Sequence, residues 1–206
     1  MKKIFKLVLV ALSFTITTAN AQKFTEGDES LAFLKGETSL NLEYRYDNMM
    51  VGKITEEEYK KEKIADFNSK QPGKGERWAE KWVNSREMVY EPMFEELINK
   101  LLFKGKTGVT AGKKQANAKY TLVVKTTMME PGFNAVVMKV DPQCNFEFEI
   151  VENATKKVMA KAELKRVMGI VMNDNDWAFD PSNRIKECYA KAGKVWGKKL
   201  AKVLKP

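Results

Sequence analysis

The stretch CNFEFEIVENATKKVMAKAELK, residues 144–165, decides the fold. Apolar and polar side chains alternate along it in two runs, which is the pattern of strands with one buried and one wet face. Asn153, Ala154 and Thr155 separate the two runs and are typical of a turn. We therefore predict an antiparallel β-hairpin, with Cys144 on the buried face of its first strand.

Two further strands are predicted upstream of this hairpin. Residues 120–129 are rich in Val, Thr and Met and end at EPGFN, residues 130–134, a strong turn sequence. Residues 39–46 alternate Leu and Tyr with polar neighbours, the pattern of a half-buried strand.

Helices are predicted between and after the strands. Thr55 and Glu58 have the spacing of a capping box that starts the first helix. Trp78 and Trp82 lie four residues apart on a second helix, and we expect them to anchor it on the sheet rather than to stack on a ligand. Pro92 predicts a break and a new helix, whose apolar residues follow a helical period up to Leu102. The last helix follows a loop over residues 169–183.

This order of elements predicts the α+β class, with an antiparallel sheet of about four strands and helices packed on one face. A helical arm of about residues 54–90 precedes the main part of this fold. Residues 22–206 are expected to form a single domain.

Residues 1–21 have the three parts of a cleavable signal peptide. A basic start and an apolar run over residues 7–16 precede Ala19, Asn20 and Ala21, the small-x-small pattern that signal peptidase cuts. The apolar run is well short of the ~20 residues that a membrane-spanning helix needs. We expect cleavage between Ala21 and Gln22, a periplasmic or secreted mature protein, and no transmembrane anchor.

The last helix carries much of the positive charge. The whole chain has 36 basic and 27 acidic residues, and only Glu187 is acidic in the strongly basic segment 184–205. Its apolar residues share one side of a helical wheel, which we expect to cover the sheet, although such a helix can also lie on an anionic membrane surface. The candidate face for binding an anionic partner consists of Lys191, Lys194, Lys198 and Lys202.

The absence of histidine removes a large share of catalytic chemistry. It excludes Ser-His-Asp triads, Cys-His pairs and imidazole metal ligands. Asp174, Asp176 and Asp180 share one loop, but Ala178 and Phe179 stand where a calcium loop needs a ligand and a glycine. We predict no catalytic residue, no metal site and no cofactor, although a Ser/Lys dyad stays open.

Two cysteines, Cys144 and Cys188, are the whole cysteine content of the chain. An even pair in an exported protein tends to be bridged. Cys188 falls at the edge of the apolar side of the last helix, so the two can meet where that helix packs on the sheet. They are a possible disulfide, and the alternative is two independent small core residues.

Four segments resemble a family of uncharacterised exported proteins of Bacteroides and related bacteria. They are EPMF (91–94), KYTLVV (119–124), EPGFN (130–134) and RIKECYAKAGK (184–194). The resemblance implies a periplasmic or envelope location and supplies no activity. The element order is also similar to small α+β domains of envelope proteins, such as the Tol translocation protein and the curli secretion lipoprotein, a likeness of topology that implies no function.

Three functions are consistent with these features. The leading hypothesis is a non-catalytic periplasmic or envelope protein that binds another envelope component, and not nucleic acid, because the chain is exported. A histidine-independent hydrolase-type enzyme would require a concave pocket with two or more carboxylates or a desolvated lysine. The third hypothesis is a binder of anionic lipid or polysaccharide that uses the basic C-terminal helix.

Overall fold

The computed structural model describes residues 22–135, 138–169 and 181–205. The hairpin predicted from residues 144–165 is present, with Ala162 opposite Phe148. The strands are β1 (Lys23–Gly27), β2 (Ser39–Arg45), β3 (Met50–Val51), β4 (Ile54–Thr55), β5 (Thr110–Gly112), β6 (Tyr120–Glu130), β7 (Phe133–Ala135), β8 (Met138–Val140), β9 (Gln143–Glu152) and β10 (Val158–Met168).

Eight of these strands form one mixed sheet. Its order is β1-β10-β9-β6-β2-β5, with β3 joined to β6 and β4 to β3, while β7 and β8 form a separate hairpin. Strands β1, β10, β9 and β6 pair antiparallel, whereas β2 runs parallel to both β6 and β5. The prediction of an antiparallel sheet of about four strands is therefore wrong.

The error has two physical causes. The four predicted strands correspond to β2, β6, β9 and β10, but strands as short as Met50–Val51 or Thr110–Gly112 cannot display an alternating pattern. The second cause is the relative direction of β2 and β6. The connection over residues 46–119 contains helices, and a crossover of that length allows β2 and β6 to be parallel.

The first two helices, α1 (Glu56–Lys70) and α2 (Lys74–Ser85), pack on each other. The predicted capping box is present at the start of α1, where Thr55 Oγ1 accepts a 3.2 Å bond from the Glu58 N–H. Trp78 and Trp82 stack with ring centroids 5.6 Å apart, and both rings contact Tyr59 of α1. The two tryptophans therefore join α2 to α1, and Trp82 also belongs to the buried core that includes residues of the sheet.

The chain stays helical from Lys74 to Lys104, across the break predicted at Pro92. Residues 86–90 form a π-helical turn in which the Glu91 N–H donates to the carbonyl of Arg86. This wider turn accommodates proline, which has no N–H and whose ring would clash with a normal α-helical turn. The helix α3 (Glu91–Lys104) therefore begins beside Pro92 without a break.

The last helix, α4 (Pro181–Val203), packs on α3 with unusually close backbones. A Cβ placed on Gly193 would lie 2.4 Å from the carbonyl oxygen of Phe94, and one on Gly197 would lie 3.0 Å from that of Ile98. Each contact is four residues further along both helices than the one before, so α3 and α4 run parallel. Only glycine, which lacks a Cβ, permits this approach.

Aromatic side chains of α4 fill the core against the sheet. Trp196 is 1% exposed, and its ring centroid lies 5.1 Å from that of Phe148 in β9. Tyr189 stacks on Tyr90 of the π-helical turn, and its hydroxyl shares a 2.6 Å hydrogen bond with Thr126 Oγ1. The apolar side of α4 thus covers one face of the sheet.

No helix in the described part of the chain has the length and apolarity needed to cross a membrane. The predicted signal peptide over residues 1–21 and the acidic residues Asp174, Asp176 and Asp180 lie outside the described residues.

We predict that Gly193→Ala destabilises the protein by about 1–3 kcal/mol. Alanine is favoured over glycine inside a helix by about 1 kcal/mol, but the added methyl group would overlap the Phe94 carbonyl, and overpacking costs more than that. Urea unfolding of the variant measures the change. The matched control is Lys194→Ala, at an exposed neighbouring position. A more stable Gly193→Ala variant would contradict the close packing.

Candidate functional site

The four lysines of the predicted anionic-binding face have different surroundings. Lys194, Lys198 and Lys202 are exposed on the outer side of α4, and the described residues include no ion-pair partner for them. Lys191 is half-buried, and its ammonium group donates to the backbone carbonyls of Met168, at 2.6 Å, and of Gly169, at 3.5 Å. Lys191 therefore caps the end of β10 and does not belong to the exposed face.

Two lysines of α3 extend this face. Because α3 lies parallel to α4, its exposed residues Lys100 and Lys104 project from the same helix layer. Glu96 is the exposed carboxylate in the described part of these two helices. We call the following six exposed lysines the basic face: Lys100, Lys104, Lys194, Lys198, Lys202 and Lys205.

The outer face of the sheet has a different charge arrangement, because its lysines have partners. Lys161 lies 2.9 Å from a carboxylate oxygen of Glu26 and 3.8 Å from one of Glu149. Lys125 Nζ lies 2.7 Å from Asp47 Oδ2. Such pairs contribute little to stability, but they cancel the local field. The positive charge of these sheet lysines is therefore neutralised locally, unlike that of the lysines on the outer side of α4.

A second candidate site is a cleft of about 470 Å³ between β2 and the junction of the π-helical turn with α3. Glu87, Glu91 and Glu95 lie at four-residue spacing along this junction. Lys113 lies between the first two, 2.7 Å from a carboxylate oxygen of Glu91 and 3.7 Å from one of Glu87. The residues that line the cleft are Asn41, Leu42, Glu43, Tyr44, Glu87, Glu91, Lys113 and Lys114.

Two tyrosines hold Glu91, the buried glutamate of this cleft. Tyr46 donates a 3.3 Å hydrogen bond to a side-chain oxygen of Glu91, and Tyr44 donates one of the same length to its backbone carbonyl. Burial, followed by the charges of Glu95 and Glu91, raises the pKa of Tyr44 far above its usual value. Both phenols therefore stay protonated and act as donors.

Glu95 is the most unusual group beside the cleft. Burial raises the pKa of its carboxyl group, the neighbouring Glu91 adds to the rise, and Lys113 opposes it. One carboxylate oxygen of Glu95 is buried without a hydrogen-bond partner in the described structure. A carboxyl group in such an environment can take up a proton and donate it, as general acids do.

The π-helical turn sets the geometry of this cleft. Arg86 forms an ion pair with Glu56 at the start of α1, and its guanidinium lies 4.3 Å from the centroid of the Tyr46 ring. Trp82 donates a 2.6 Å bond to the same Glu56 carboxylate. These contacts hold the turn from which Glu87 and Glu91 project. The four-residue spacing of three glutamates is the signal in the sequence from which this site could have been predicted.

Metal binding has no support in the described part of the chain. No group of three or more acidic or cysteine side chains there is arranged to hold a metal ion. In the cleft, Lys113 occupies the position between the carboxylates that a cation would take.

The two cysteines lie next to each other in the core. Cys144 of β9 and Cys188 of α4 are both fully buried free thiols. Burial, and then a hydrogen bond with the Cys188 side chain, raise the pKa of the Cys144 thiol well above its ordinary value. The disulfide between Cys144 and Cys188 stays a prediction, and the two thiols that it would join are neighbours in the structure.

Comparison with known proteins supplies no family. No protein-family model matches the chain, and no curated protein matches it. The PelC dodecamer from Paraburkholderia phytofirmans is similar over 84% of this chain and 96% of its own, with 15% identity and a TM-score of 0.40. A Xanthomonas campestris protein of family DUF330 is similar over 49% and 55%, with 10% identity and a TM-score of 0.31. Likenesses this weak carry no functional inference.

We predict that Cys144 and Cys188 are bridged in protein taken from an oxidising compartment. A bridge closes a loop of about 44 residues, which should stabilise the fold by about 4 kcal/mol relative to the reduced form. Mass measurement without reductant detects the loss of two hydrogens, and thermal unfolding with and without reductant measures the stabilisation. Cys188→Ala is the control that should show no response to reductant. A reduced mass in oxidising conditions would contradict the bridge.

We also predict a pH-dependent effect of Glu95→Gln. A raised carboxyl pKa means that the folded protein holds this proton more tightly than the unfolded chain does, so its contribution to stability is lost as pH rises through the folded pKa. Glutamine stays neutral, so the variant should gain stability relative to wild type between about pH 4 and about pH 7. Thermal unfolding at both pH values measures this, with the exposed Glu96→Gln as control. A difference that does not change with pH would refute the desolvated carboxyl.

Proposed function

We propose that this chain is an exported, non-catalytic protein that binds an anionic component of the cell envelope through the basic face. The observation that carries the proposal is the set of exposed, unpaired lysines on the outer side of the parallel helices α3 and α4. The export signal of the sequence supports the envelope location.

The uneven distribution of unpaired lysines supports the interpretation that the basic face binds an anionic partner, rather than only keeping the protein soluble. A face of one sign attracts a partner of the opposite sign over about a Debye length, whereas paired charges do not. The sheet surface has its lysines paired, and the helix surface does not.

The experiment compares two quadruple variants of the mature chain that begins at Gln22. One has Lys100, Lys194, Lys198 and Lys202 changed to Gln, and Lys191 is left intact because it is a structural contact. Each lysine near an anionic surface contributes about 1 kcal/mol, so binding should fall by more than roughly tenfold. The matched control changes the same number of exposed lysines elsewhere, at Lys35, Lys53, Lys61 and Lys157.

Binding is measured to vesicles that contain phosphatidylglycerol and, in a separate arm, to a soluble acidic polysaccharide, each at low and physiological salt. The basic-face variant should lose the salt-sensitive binding, and the control variant should keep it. If the two variants bind alike, the lysines are only a solvated surface and the proposal is wrong.

The glutamate cleft favours a second function, a histidine-independent hydrolase. It is a concave pocket with several carboxylates, which is the feature that this hypothesis required. Glu95, whose carboxyl pKa is raised by burial, would donate a proton, beside the Glu91 carboxylate that Lys113 contacts. We rank it second because Lys113 and Tyr46 already satisfy Glu91. Turnover of a glycoside or ester that is lost in Glu95→Gln would establish it.

A further inference from the structure

Phe103 is the most exposed large apolar side chain in the described part of the protein. It is 87% exposed, compared with 76% for Met88 and 41% for Val83. It lies in the last turn of α3, where it adds nothing to the core. A single exposed apolar side chain is common on protein surfaces, so the meaning of this one depends on what surrounds it.

The surroundings of Phe103 are basic. Lys104 follows it, Lys100 is one turn earlier, and the exposed Lys106 comes just after the helix. The end of α4 lies alongside, since a Cβ placed on Gly105 would be 2.9 Å from the Cβ of Ala201. Lys202 and Lys205 therefore belong to the same end of the molecule as Phe103.

An apolar groove continues from Phe103 towards β5. It has a volume of about 700 Å³ and is lined by Asn99, Phe103, Lys104, Lys106, Gly108, Val109 and Thr110. The cavity beside Met88 differs, because charges of both signs surround it, namely Arg77, Glu80 and Lys81. Of these two cavities, only the one beside Phe103 has charged lining residues that are all basic.

This combination distinguishes between the anionic partners of the basic face. An acidic polysaccharide offers carboxylates and hydroxyl groups and has no apolar layer that could take up a phenyl ring. An anionic bilayer offers phosphate groups at its surface and acyl chains beneath them. Lysines with an aromatic residue among them are the composition of proteins that lie at that boundary.

We propose that the partner of the basic face is an anionic lipid bilayer, and that Phe103 inserts into its headgroup–acyl boundary while the surrounding lysines contact the phosphates. The inference rests on the proposed function, because it needs the basic face to bind. It assigns the apolar part of the binding to one residue. Exposure makes this residue replaceable without loss of the core.

The test uses the mature chain and vesicles of phosphatidylglycerol with phosphatidylcholine, with binding measured by co-sedimentation. Phe103→Ala should weaken binding by about tenfold or more, the effect of not burying a phenyl side chain. Phe103→Trp should bind at least as well as wild type, since tryptophan suits the membrane interface. The matched control is Met88→Ala, which removes a similarly exposed apolar side chain away from the basic face and should bind as wild type does.

Salt separates the two parts of the interaction. Salt screens the lysine contacts but not the insertion of an apolar ring, so the weakening by Phe103→Ala should persist at physiological salt. Binding of Phe103→Ala to the acidic polysaccharide should equal that of wild type.

Two results would overturn the bilayer assignment and leave the proposed function intact. One is Phe103→Ala binding vesicles as wild type does while the basic-face variant fails to bind. The other is wild-type binding to the polysaccharide without binding to vesicles. Equal binding by wild type and the basic-face variant to both the vesicles and the polysaccharide would instead remove the proposed function itself.

Discussion

The contact between the backbones of α3 and α4 is the constraint on which the rest of the structure depends. Gly193 and Gly197 let the two helices approach until main-chain atoms touch, and this fixes their parallel direction and their register. From that register follow the position of Cys188 beside Cys144 and the stacking of Tyr189 on Tyr90. The same packing leaves Lys194, Lys198 and Lys202 exposed on the outer side of α4. A side chain at either glycine would disturb the core and the binding surface together.

The sequence predicted those parts of the fold that depend on repeated local patterns. Periodicity is enough to place β9 and β10, and the Thr55 capping box is a short-range signal. The sequence did not predict features that depend on contacts between residues distant in the chain. The residues of β2 contain no local signal that this strand runs parallel to β6. A strand of two residues, such as β3, is too short to show alternation of apolar and polar side chains. The break predicted at Pro92 failed because a π-helical turn absorbs the proline.

The candidate sites, too, could be predicted where they depend on a local pattern and not where they depend on tertiary contacts. The lysine stripe of α4 can be read from a helical wheel, but the capping role of Lys191 depends on the end of β10, which is a tertiary contact. Lys100 and Lys104 join the surface only because α3 lies beside α4. The glutamate cleft combines residues from β2, α3 and the segment near residue 113, so the sequence spacing of its glutamates could suggest the cleft but could not place Lys113 between them.

The parallel direction of α3 and α4 has a consequence for the meaning of their charges. Each helix ends with unsatisfied carbonyl groups equivalent to about half a negative charge, and parallel packing brings both ends to one side of the molecule. Lys104 and Lys202 lie in the last turns and offset this macrodipole, so the protein would need them even without a ligand. Lys194 and Lys198 lie further from the helix end, where the dipole field has faded. Among related sequences, cations at those two positions would therefore mark anionic binding, and cations at the helix ends would not.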